Sequence, residues 1–193
     1  MIEDILLFIR QNIGPLIALG SAFIAWFALK ANHDWSRRNC ALQFMADWNA
    51  KTAPHRKAIE EIFPGLIDKD KKAVYQTELT KEIARNIYTS KQANSTSQDA
   101  INSPQPDYWK ARFHLMELGN HMECVSSAYI NNVADRKMIE VAFKAPMVRW
   151  HSAMENFISE VSEHRGYRPW KPWDDLVQEW SKEPQKKWRK KTA

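Results

Sequence analysis

Nineteen consecutive positions, Gln11 to Leu29, carry no charged side chain, and the run stops at Lys30 in a chain whose remainder is distinctly polar. As a helix rising about 1.5 Å per residue, such a run reaches roughly 28 Å, close to the thickness of a bilayer's hydrocarbon core and too long for an ordinary surface helix. The expectation is one transmembrane anchor within residues 1–30. The competing reading, a cleavable secretory signal, needs a basic start and small residues at the cleavage site. Here Glu3 and Asp4 make the start acidic, while Trp26, Phe27 and Lys30 crowd the place where cleavage would fall.

Lysine and arginine close to a span are retained on the cytoplasmic side. Arg10 stands alone before the run, whereas Lys30, Arg37 and Arg38 follow it, so the N-terminus is expected outside and residues from about 31 onward inside. A reducing compartment agrees with two lone cysteines, Cys40 and Cys124, which read as small buried hydrophobes rather than a disulfide or metal framework.

Behind the anchor the chain is long enough for one domain with a proper core, assigned to residues 31–181. Charge separates a last segment, 182–193, from it. Lys182 to Ala193 hold six basic residues and one acid, an excess of five that equals the formal charge of +5 for the whole chain. The basic character therefore belongs to a tail, Lys186, Lys187, Trp188, Arg189, Lys190 and Lys191, expected to stay mobile because like charges repel and little apolar surface is available to bury. Anionic lipid headgroups or RNA phosphates would suit it, at about 1 kcal/mol per basic residue near a membrane surface. Trp188 fits a headgroup layer or a stacked base equally; a solvated tail without a specific partner is the third reading.

Only five glycines occur and apolar residues recur at helical spacing, so the fold class is all-α. Trp35, Ala41, Phe44, Met45 and Trp48 carry a periodic face past the anchor, which predicts an unbroken stalk. Pro54 and Pro64 are expected to bracket a short helix, residues 71–88 to form the next, with Leu79, Ile83 and Ile87 on one stripe, and Ala93 to Pro106 to form a loop. Leu115, Leu118, Met122, Val125 and Tyr129 then step by three and four, as do Phe143, Met147, Trp150, Met154, Phe157 and Val161. With Asn131 and Asn132 between them and Asp135 as N-cap, the two stripes predict a helical hairpin at the centre of the core. Pro146 should kink or split its second arm, and Tyr167 to Trp180 reads as an aromatic closing segment.

The order of an N-terminal anchor, a stalk, a helix with Asn120 three before Glu123, a polar turn, a helix bearing Trp150, then Arg165 ahead of Trp173 and Leu176 resembles a family of small bacterial membrane-anchored helical proteins of unassigned function. The layout also resembles the membrane accessory protein of type VI-B CRISPR systems. That resemblance implies a HEPN-like cytoplasmic bundle, a ring-shaped homo-oligomer, a CRISPR nuclease or other defence protein as partner, and a place in phage defence.

Many HEPN domains are ribonucleases that use an Arg followed four to six residues later by a His to position and protonate groups at the scissile phosphate. No Arg here has a His at that spacing; Arg112 precedes His114 by two and Arg149 precedes His151 by two. The chain is therefore read as having no catalytic set and as non-enzymatic, with no cofactor, unless distant residues assemble a site in space. His114, Glu117 and His121 share one helix face and could hold a cation, yet one helix seldom closes a metal site, so polar residues flanking the core are the favoured reading and no metal is expected. Asn120 and Glu123 lie beside the same stripe, and a buried Glu123 is expected to pair with Arg149 or Arg165.

Within the anchor, Gly14, Ala18, Ser21, Ala22, Ala25 and Ala28 place small side chains at steps of three and four, where backbones of neighbouring spans can approach closely. An Ala-rich monomeric span is the alternative. Two functions remain open on this sequence: an oligomeric membrane effector or pore-like accessory protein, and a tethered module recruiting a protein or RNA to the inner membrane. A ribonuclease stands third.

Overall fold

The computed structural model describes residues 2–66, 79–90 and 107–182, without the side chains of residues 2–12 and 16. The described residues form five helices and no strand: α1 (Ile2–Ile62), α2 (Lys81–Thr89), α3 (Tyr108–Ile130), α4 (Arg136–Arg165) and α5 (Lys171–Lys182). The starts of α2, α3 and α4 have a local chemical cause. The side-chain oxygens of Thr80, Asp107 and Asp135 accept from the backbone N–H groups of Ile83, Lys110 and Met138 at 3.2, 3.0 and 3.1 Å, satisfying donors that the first turn leaves free. α4 ends on Gly166, whose φ of 72° is left-handed and open to glycine without penalty.

The two stripes read from the sequence are the centre of the core. Leu115, Leu118 and Met122 on α3 and Phe143, Met147, Met154 and Phe157 on α4 are all buried, each contributing about 1.5–3 kcal/mol on removal from water. Asp135 caps α4 as expected.

Helix directions follow from side-chain pairs. Along α1, Trp48, His55 and Phe63 meet His121, His114 and Tyr108 of α3 in reverse order, so these two helices are antiparallel. At the end of α3 the chain turns through Asn131–Ala134, and the backbone N–H of Asp135 donates to the carbonyl of Arg37 at 3.0 Å, docking the α3–α4 turn onto α1. α5 then runs antiparallel to α4, with Trp173 edge-on to His151 and Lys144 over Trp180 at 6.0 Å. α2 is tied to α4 through Asn156 Nδ2, which donates to the Leu79 carbonyl at 2.7 Å.

Gly119 is required by a close approach. A Cβ there would lie 2.4 Å from Cε2 of Trp170, whose indole covers the α3 backbone and donates through Nε1 to Asn120 Oδ1 at 3.0 Å. Trp170 itself has φ of 52°, a strained value for a bulky residue. Stacking on Phe157 and the hydrogen bond to Asn120 hold it there.

Several expectations are corrected. Pro54 does not begin a new helix: α1 runs through it to Ile62. A proline inside a helix frees the carbonyl four residues back, and Ala50 is exposed, so water can satisfy that group. Pro146 does not split off a first short helix: it lies within an unbroken α4, whose buried stripe on both sides outweighs the missing hydrogen bond. Cys40 is half-buried against the core, but Cys124 is exposed rather than buried; both are free thiols. Of the helix expected over 71–88, residues 79–88 are described; α2 starts only at Lys81, after the Thr80 cap, so Leu79 precedes the helix instead of sharing its stripe with Ile83 and Ile87. The expected loop at 93–106 lies outside the described residues.

Candidate functional site

The first part of α1 is long and apolar enough to span a membrane, and none of its most apolar stretch is buried against the bundle. Ile17, Leu19, Phe23, Ile24, Trp26, Phe27 and Leu29 are all exposed. A soluble protein rarely leaves so large a contiguous apolar surface in water, so this rod needs another solvent or a partner. Ser21 Oγ donates to the Ile17 carbonyl at 2.9 Å, leaving its hydroxyl satisfied within the helix. The small residues Gly14, Ala18, Ser21, Ala22, Ala25 and Ala28 are exposed, and a Cβ at Gly14 would meet nothing within 4 Å. At about 100° per residue they centre on the side of α1 nearly opposite the face that docks on the bundle through Ala41, Trp48, Thr52 and Ile59. Copies meeting on that side would keep their bundles apart.

Two polar clusters lie inside the bundle. Between α4 and α5, His151 Nε2 lies 2.8 Å from Asp174 Oδ1, and Arg168 Nη2 donates to the same oxygen at 2.7 Å and to Glu155 Oε1 at 3.1 Å. His151 Nδ1 lies 3.5 Å from Glu155 Oε2. Burial alone would raise the Asp174 carboxyl, but hydrogen bonds from Arg168 and His151 more than offset it and hold the group below the ordinary carboxylate range. Asp174 in turn raises the Arg168 guanidinium. His151, Glu155 and Asp174 have ligand atoms close enough to share one cation. The guanidinium of Arg168 already supplies the positive charge at the oxygen such an ion would use, so the arrangement serves as an ionic tie between α4 and α5.

The second cluster follows the α1–α3 seam. His55 and His114 approach Nδ1 to Nδ1 at 2.8 Å, a hydrogen bond that needs at least one neutral ring, since two imidazolium rings would set N–H against N–H. His114 is lowered from the usual histidine value by burial, then by His55 and Lys110, with Asp107 opposing. His121 is lowered by burial, partly countered by Asp47, and its Nε2 is buried without a hydrogen bond beside Phe44 and Trp48. Near this seam, Trp48, Arg56, Ile59, Pro146, Arg149 and Trp150 line a cleft of about 240 Å³, with the Arg56 guanidinium 4.5 Å from the Trp48 ring centre.

The residues singled out from the sequence divide accordingly. His114, Glu117 and His121 do not converge: α1 supplies separate partners for the two histidines, and Glu117 is exposed. Asn120 accepts from Trp170. Glu123 makes no ion pair among the described residues. It is only half-buried, so solvent replaces the partner expected of a buried carboxylate. Arg149 borders the cleft, and Arg165 Nη1 donates to Tyr167 Oη at 3.2 Å. Lys186, Lys187, Trp188, Arg189, Lys190 and Lys191 lie outside the described residues, four positions and more beyond Lys182. Sequence reasoning missed the tie of His151, Glu155, Arg168 and Asp174. Only the i, i+4 spacing of His151 and Glu155 hinted at it.

A family model described as a domain of unknown function, DUF4760, matches residues 15–180. The chain belongs to this family. The match starts inside the exposed apolar rod and ends at Trp180 of α5, so the DUF4760 unit comprises rod and bundle together. No curated protein and no solved structure matches the chain.

Proposed function

We propose that this DUF4760 chain is a single-pass membrane-tethered helical module that acts by self-association rather than by catalysis. The observation that carries this reading is the continuity of α1, which passes without a break from an exposed apolar rod of bilayer length into a helix docked on α3 and α4. The span leaves the N-terminus outside and the bundle in the cytoplasm, as the excess of Lys30, Arg37 and Arg38 over Arg10 favours. Small residues on the free side of α1 are where copies would meet. A HEPN-like bundle and an oligomeric, pore-like role in phage defence rest on the resemblance in layout, and the lack of an Arg–His pair at nuclease spacing supports a non-enzymatic effector.

The test is expression in cells carrying a voltage-sensitive dye, combined with sizing of the purified chain in mild detergent. An oligomer that shifts to monomer on Ala18→Leu and Ala25→Leu, with membrane potential falling only for the parent chain, is the expected result. A monomer in detergent, with unchanged potential under every inducing condition, would sink the effector reading. A carbonate wash that releases the chain would remove the tether itself.

A further inference from the structure

We propose that the α3–α4 turn, with its flanking residues Ile130 to Lys137, is a second membrane contact that rests on anionic phospholipid headgroups on the side where α1 leaves the bilayer. This inference rests on the reading of α1 as a membrane span and adds a surface that the span alone does not supply.

Position comes first. The turn is docked at Arg37 by the Asp135 N–H bond to the Arg37 carbonyl, eight residues beyond Leu29 and hence about 12 Å along the helix from the end of the charge-free run. A headgroup layer extends about 5–8 Å beyond the hydrocarbon core on each side, and spans tilt by about 20° on average. The turn therefore hangs at or just above the headgroups, whereas the N-terminus of α3 and the C-terminus of α4 lie at the far end of the bundle.

Composition comes second. Val133 at the tip is 56% exposed and Ile130 is 37% exposed, although their neighbour Ala134 is fully buried. Two apolar side chains thus point outward at the end of the bundle nearest the bilayer. Along this end of the molecule, residues 30–38 and 130–137, basic residues prevail: Lys30, Arg38, Arg136 and Lys137 are exposed and Arg37 is half-buried, against the acids Asp34 and Asp135, of which Asp135 pairs with Arg38 at 3.9 Å, a balance of five to two. Arg136 is held in place by hydrogen bonds from Nε to the Tyr129 carbonyl at 3.0 Å and from Nη2 to the Ile130 carbonyl at 2.9 Å, its guanidinium lying over the Tyr129 ring. Apolar tips within a basic rim match an anionic lipid surface in both hydrophobicity and charge.

Chain path comes third. Trp180 packs edge-on against Tyr129 at 5.5 Å, so α5 ends at the same end of the bundle, and the basic sequence Lys186–Lys191 follows from there.

The experiment uses the full chain, with Cys40→Ser and Cys124→Ser, in lipid nanodiscs. A nitroxide is placed in turn at Val133→Cys, at Glu163→Cys near the far end of α4, and at Phe23→Cys in the rod. Its collisions with oxygen, which partitions into lipid, are compared with those of an aqueous nickel chelate. We expect the Val133 label to shift toward oxygen in discs containing phosphatidylglycerol relative to discs of phosphatidylcholine alone, the Glu163 label to stay aqueous in both, and Lys137→Glu to reduce the Val133 shift. A Val133 label as aqueous as that at Glu163 in both lipids, with the Phe23 label lipid-buried, overturns the second contact while leaving the span intact. A Val133 shift unchanged by Lys137→Glu and equal in the two lipids overturns the assignment to anionic headgroups. An aqueous Phe23 label instead removes the span, a separate failure.

Discussion

One helix, α1, has two halves that obey different rules. From Arg37 to Ile62 the side chains turned to the bundle, Ala41, Thr52, Ala58 and Ile59 among them, are buried, while those turned away, Leu42 included, are exposed. From Ile13 to Leu29 apolar residues surround the whole circumference and every described side chain is exposed. A one-sided pattern is what a helix needs to pack on a protein in water, and an all-round pattern is what it needs when the surroundings are apolar. The pattern around a helix, rather than its length or continuity, thus records the surroundings for which each half is built.

The same truncation should affect the two halves very differently. Ile59→Ala, at a fully buried position, should cost about 2–5 kcal/mol of bundle stability, whereas Ile24→Ala, at a position 71% exposed, should leave it within about 0.5 kcal/mol. Thermal unfolding in mild detergent, followed by tryptophan fluorescence, reads both. Equal losses would mean that the rod packs on protein. A charge at the centre of the rod should act on the other property: Ala22→Arg is expected to cost about 2.5–3.5 kcal/mol of membrane insertion, seen as chain lost from the carbonate-resistant fraction, with the bundle still folded.

Within the bundle, Gly119→Ala would drive a methyl group into the Trp170 indole and should cost about 1–3 kcal/mol by overpacking. An unchanged melting temperature would show that Trp170 can move away and that its left-handed backbone is not held by the contact.

The smallest expected effect depends on pH and belongs to the seam between α3 and the docked half of α1. His114 and His121 titrate below the usual histidine value of about 6.5, so the folded chain binds fewer protons than the unfolded chain between the folded values and that point. Stability should therefore be highest above about pH 6.5 and decline as pH falls from there toward the folded values. Substituting both with glutamine should flatten this decline without changing membrane retention. A slope that persists in the double variant would place the acid sensitivity away from the α1–α3 seam.

Much of the fold was legible in the sequence, because periodicity reports which residues share a face. The charge-free run, both stripes of the α3–α4 hairpin and the Asp135 cap all follow from spacing and local chemistry. Spacing does not report which neighbour arrives at that face. His114 and His121 lie on one side of α3, but the antiparallel course of α1 gives them different partners, His55 and Trp48. Asn120 is claimed by Trp170 from fifty residues away. Pro54 misled because local propensity argues for a break, whereas the packing of Trp48, Thr52 and Ile59 on either side keeps the helix whole. The tie of His151, Glu155, Arg168 and Asp174 needed α5 to fold back along α4, a tertiary fact with no local signature.

Between Pro15 and Pro54, α1 contains no proline and no described break, and the α3–α4 turn clamps it at Arg37. Such a shaft has no described hinge between the exposed apolar rod and the docked half. On the proposed reading of α1 as a span, a change in its inclination with membrane thickness would swing the bundle through the same angle, so bilayer thinning or stretching would be transmitted mechanically to the bundle.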